Sequence, residues 1–140
     1  MNLVNQDKLN GDPTQNITAE NTTELAFIYK KSGGIFFTNN TITFDSNTRE
    51  LQIISNNKVL EKRLLPFSII DKLKKVIVDH NFFDAKNYYN SSKNERDSFL
   101  YRLTVMLGNN SHTVSWSDFS SDAPTGLFAI TDEIERVAND

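Results

Sequence analysis

Phe99, Tyr101, Leu103, Val105 and Leu107 recur at a strict spacing of two. Side chains along a strand point alternately to opposite faces, so this pattern predicts a nine-residue strand with one face buried. Such a strand cannot bury that face alone; it needs neighbouring strands and a covering layer. The rest of the chain supplies both. Residues 25–31 place Leu25, Phe27 and Tyr29 on one side and end at Lys30 and Lys31. Residues 41–45 direct Ile42 and Phe44 inward, with Ser46 and Asn47 suited to a tight turn. Residues 50–55 present Leu51 and Ile53. Asn56 and Asn57 tolerate the positive φ of a two-residue hairpin, so residues 58–64 are predicted to fold straight back. A last strand over residues 112–117, reached through Gly108, Asn109 and Asn110, sets His112, Val114 and Trp116 on one side.

The covering layer is predicted from two segments of helical period. After Pro66, Ile69, Leu73, Val76, Ile77 and His80 form one stripe, while Lys74, Lys75 and Val78 point away. Ser68 followed by Asp71 fits a capped start, and the helix should end near Asn81. After Pro124, the stripe is Leu127, Ile130, Ile134 and Val137, with Asp132, Glu133 and Glu135 toward water. The predicted fold class is α+β, an antiparallel sheet with two α-helices packed on it in the order ββββαββα. Residues 1–23 are polar, with isolated Leu3, Val4, Leu9 and Ile17, and are expected to be a disordered tail before a single domain over residues 24–140. Residues 85–97 are expected to form a polar loop despite Tyr88 and Tyr89.

The charge of −3 argues against a nucleic-acid surface, which needs clustered Lys and Arg; Lys72, Lys74 and Lys75 read as the wet side of a helix. With no Cys the chain has neither a disulfide framework nor a thiolate metal site. No stretch reaches the roughly 20 apolar residues of a membrane span, and residues 1–23 have no signal-peptide pattern. A cytoplasmic monomer that binds neither membrane nor nucleic acid is the expectation.

The residues offer little catalytic chemistry. His80 and His112 lie in no H-x-x-x-H or H-x-E spacing, so neither is expected to ligate a metal. His112, Ser115 and Asp118 include the residue types of a hydrolase triad, but strand alternation turns Ser115 away from the other two, and no G-x-S-x-G elbow is present. Glu50, Glu95 and Asp97 have nothing in the sequence that gathers them into one cleft. Ser32-Gly33-Gly34 lacks the Lys of a phosphate-binding loop. The chain is therefore expected not to be an enzyme, and to use no cofactor.

Gly33 and Gly34 do carry information about shape. Adjacent glycines permit positive φ and close backbone approach, and the apolar run Ile35, Phe36, Phe37 follows at once. Those side chains either fold under into the core or form a contact surface for a partner. Gly33, Gly34, Ile35, Phe36 and Phe37 are the candidate partner-binding residues, joined by Phe119, which stands outside any regular pattern in the polar turn over residues 118–122.

A strand leading into Ser32, Gly33, Gly34, Ile35 resembles the S-G-G-F opening of the emfourin family, small protein inhibitors of thermolysin-like metallopeptidases. Residues 73–82, closing in Asn81-Phe82, are similar to that family's leucine-rich helix ending in Asp-Phe. Asp97, Phe99, Tyr101, Leu103 and Val105 match its D-x-F-x-Y-x-L-x-V strand, and Asp122, Ala123, Pro124 and Leu127 match the start of its final helix. The likeness spans residues 24–137. Ile35 departs from the pattern, standing where the family more often has Phe. The resemblance implies a non-enzymatic inhibitor whose partner is a thermolysin-like zinc metallopeptidase. The alternative is a binding module with another ligand on the same fold.

Overall fold

The computed structural model describes residues 23–90 and 98–140. The chain runs through β1 (Leu25–Gly33), β2 (Thr38–Asp45), β3 (Glu50–Ser55), β4 (Lys58–Leu64), α1 (Phe67–Asp79), a 3-10 turn (Phe82–Asp84), β5 (Phe99–Leu107), β6 (Asn110–Ser117) and α2 (Thr125–Ala138). The six strands form one antiparallel sheet in the order β4-β3-β2-β1-β5-β6, giving the expected ββββαββα arrangement. The expected tail lies outside the described residues except for Thr23, as does the 91–97 part of the expected polar loop.

Register follows from the alternation. Phe27 faces Phe44 on β2 and Val105 on β5; Tyr29 faces Ile42 and Leu103. These side chains are buried on one face of the sheet together with Leu25, Leu51, Leu107, Val114 and Trp116, and the two helices cover them. The opposite face, carrying Ile28, Lys30, Leu100, Arg102 and Met106, is exposed. Asn56 and Asn57 adopt φ of 50° and 69°, as the two-residue β3–β4 hairpin requires. β1 and β2 both extend beyond their predicted limits, pairing as far as Gly33 with Thr38. Polar Lys31, Ser32 and Asn39 carry no hydrophobic period there, and only backbone pairing shows the continuation.

The first helix is rotated from the predicted wheel. Ile70, Leu73, Lys74 and Ile77 are its buried residues, Ile69 and Val76 are half-buried, and His80 is exposed. Lys74 is only 2% exposed, which corrects its assignment to the wet side. The long aliphatic stem of a lysine packs like a hydrophobe, a behaviour invisible to a polar/apolar count. The expected Ser68 cap is absent. Pro66 occupies the cap position and Ser68 falls inside the first turn, with no side-chain capping bond. Asn81 ends the segment in the left-handed region (φ 55°), a conformation Asn tolerates.

In α2 the predicted stripe is buried, accompanied by Thr131 and Ala138. Its first turn comes close to the end of α1: a Cβ on Gly126 would meet His80 Cβ at 3.0 Å. At its other end, Arg63 of β4 donates to the backbone oxygens of Val137 and Asp140, placing a cation where the helix dipole is negative. Residues 85–90 are not a free loop. Tyr89 is buried, Tyr89 N donates to Ser115 O (3.0 Å), and Ser115 N donates to Asn87 O (2.9 Å), so this stretch covers the outer edge of β6.

Candidate functional site

The end of β1, the start of β2, the β3–β4 turn, the start of β5 and the turn after β6 all lie at one end of the sheet. The β1–β2 hairpin closes there in a tight turn, with Phe37 N donating to Gly34 O at 3.2 Å. Gly33 and Gly34 adopt φ of 104° and 78°, which L side chains rarely take. Ile35 and Phe36 occupy the centre of the turn, and Phe37 itself has φ 52°. All three are solvent-exposed, at 66%, 86% and 81%. Of the two fates open to them from the sequence, burial in the core is therefore excluded.

This exposed turn stands on a fixed base. Gly34 N donates to Ser98 O (3.1 Å), and Gly34 stands so near the Phe99 ring that a Cβ there would meet its far end at 2.8 Å. Phe99 N in turn donates to Asp118 Oδ2 (2.9 Å), while Asp118 N donates to Phe99 O (3.2 Å). The hairpin turn and the turn after β6 are thus joined through Phe99. On the helix side of the sheet the rings continue as a ladder: Phe99 to Tyr101 at 6.4 Å, Tyr101 stacked on Trp116 at 5.5 Å, and Trp116 edge-on to Phe128 of α2 at 6.2 Å. Lys31 Nζ sits 4.6 Å above the Phe99 ring. Phe119 shares this end of the sheet but is half-buried, its amide donating to Ser117 Oγ at 3.2 Å. It offers less surface to a partner than the hairpin does.

Two phenols fasten the base further. Tyr101 donates to Asp118 Oδ1 and Tyr29 to Glu135 Oε2, each at 2.6 Å. Burial, then the hydrogen bond to a carboxylate, holds both phenols well above the usual tyrosine range. Glu135 is therefore not simply turned to water as the wheel implied. A polar residue at the margin of a helix stripe reveals such a partner only once the sheet lies beside it.

Asp118 is committed to Phe99 and Tyr101, and His112 Nε2 lies 2.6 Å from Ala85 O with its ring edge-on to Phe82. Ser115 faces away on the open side of the sheet. The three residues of the formal triad are not brought together. Among the described residues no group of His, Asp and Glu is arranged to hold a metal ion. No described helix is long and apolar enough to cross a membrane. No protein-family model and no curated protein matches the chain.

Proposed function

We propose that this chain is a protein inhibitor of a thermolysin-like zinc metallopeptidase, with the turn over residues 33–37 entering or flanking the target's cleft. The observation that carries the reading is the exposure of Ile35, Phe36 and Phe37 on a turn anchored through Gly34 and Phe99. Three large apolar side chains in water at a hairpin tip contribute nothing to the core, and exposed apolar patches of this kind mark contact surfaces. The turn is also preorganised, so little conformational entropy remains to be lost on binding. The class of target comes from the emfourin resemblance, in which peptidases preferring a bulky apolar residue beside the scissile bond are the partners.

The test is hydrolysis of a peptide substrate by a panel of thermolysin-like peptidases, with the full chain added. Stoichiometric inhibition of at least one enzyme is expected, weakened by Phe36→Ala or Phe37→Ala. Absence of inhibition across the panel would reject the peptidase as partner and leave the turn as the contact surface of a binding module for another protein. Inhibition that survives every substitution in the turn would move the contact surface elsewhere.

A further inference from the structure

The open face of the sheet carries a second feature, separate from the hairpin turn. Lys30 on β1 and Arg102 on β5 are directly paired across the strands, and both point to the uncovered face. Directly opposed side chains in a sheet have Cβ atoms only about 5 Å apart, and like charges at that spacing repel. Neither side chain forms an ion pair with a described carboxylate. Beside them a groove of about 350 Å³ runs between the sheet and the segment covering β6. Leu100 and Tyr88 stand in it, 58% and 59% exposed, and Ser32 and Ser115 add hydroxyls. None of the described residues lining it is Asp or Glu.

Small-molecule sites are concave, mostly apolar, at least about 300 Å³, and furnished with a few convergent polar groups. This groove meets each condition, and its polar groups include two cations that no described carboxylate pairs with. We propose that it binds a small organic carboxylate with an aromatic or aliphatic body, the carboxylate lying between Lys30 and Arg102 and the body against Leu100 and Tyr88. The anion relieves the repulsion between the paired cations, and the Arg guanidinium offers the two-pronged donor geometry that suits a carboxylate. The inference does not depend on the inhibitor reading, because the residues involved lie on the face of the sheet and outside the turn.

The experiment is amide chemical-shift mapping of the full chain with naphthalene-2-carboxylate and with the neutral 2-naphthamide. Saturable shifts centred on Ser32, Leu100, Arg102 and Ser115 are expected for the carboxylate, with affinity about tenfold or more above that of the amide. Lys30→Gln with Arg102→Gln should cost the carboxylate about tenfold or more and leave the amide unchanged. Equal affinity for the two probes overturns the proposal, as do shifts centred on residues 35–37. The wild-type comparison stands even if the double variant folds poorly. If that variant keeps its spectrum and its affinity for the carboxylate, the cations are not the site.

Discussion

Gly34 lies so close to Phe99 that a Cβ at position 34 would come within 2.8 and 2.9 Å of two ring carbons. One glycine thereby sets the height of the turn above the sheet, and the ring beneath it links the turn to Asp118. Gly34→Ala must move the ring and also adopts an unfavourable positive φ. It is expected to cost about 1–3 kcal/mol, seen as a lower denaturant midpoint, and to reduce inhibition because the turn tilts. Gly33→Ala is expected to be at least as damaging, since its Cβ would stand 2.7 Å from the backbone oxygen of Ser98, which has little freedom to yield.

Phe36 is 86% exposed and its side chain is spent on no described contact. Phe36→Ala should leave the melting temperature within about a degree, because exposed side chains away from structural features contribute little to stability. Burial of one Phe in a partner pocket is worth roughly 1.5–3 kcal/mol. The same substitution is therefore expected to raise the inhibition constant by about tenfold to over a hundredfold. A melting point that falls while inhibition is untouched would show that Phe36 supports the fold and not the contact.

Phe37 occupies the left-handed region at φ 52°, which is unfavourable for a bulky side chain. Asn tolerates that conformation. Phe37→Asn should raise stability by up to about 1 kcal/mol in denaturant unfolding while weakening inhibition. Opposite signs in the two measurements would identify backbone strain retained for the sake of the exposed ring. A loss of stability would mean that the Phe37 ring packs in solution.

The two restrained phenols give the fold an alkaline limit. Tyr29 and Tyr101 have folded-state pKa values raised above that of an unfolded tyrosine, about 10. Between the unfolded and folded values the unfolded chain binds fewer protons, so stability falls as pH rises. Their contribution is thus complete below about pH 10 and is lost progressively above it. Tyr29→Phe should flatten the alkaline arm of a stability-against-pH curve while lowering stability near neutrality through the lost bond to Glu135. An alkaline arm that keeps its slope in both Tyr29→Phe and Tyr101→Phe would place the titrating groups elsewhere.

Arg63 spans from the edge strand β4 to the last carbonyls of α2. Removing a cation from a partly buried helix C-terminus costs up to about 2 kcal/mol. Arg63→Ala is expected to show this loss as faster hydrogen exchange in the final turn of α2, with little change at the hairpin turn. Uniform loss of protection across the sheet would instead make the contact part of the global core.

The order of elements was legible in the sequence because a period of two and a period of 3.6 are local properties, carried by runs such as Phe99 to Leu107 and Leu127 to Val137. The Asn56-Asn57 hairpin was equally legible, since its positive φ angles are a demand on two residues alone. The sequence also marked residues 33–37 as unusual, but it left two fates open for Ile35, Phe36 and Phe37. Only the tertiary structure decided between them, because exposure depends on whether another element lies above the turn, and none of the described elements buries it. The same reason explains the misread helix face. Lys74 is buried and His80 exposed because the sheet and α2 determine which side of α1 is covered, and a wheel drawn from one helix contains no neighbours. The pairing of Lys30 with Arg102 is likewise a property of register, set by where β1 and β5 meet, 72 residues apart in the chain.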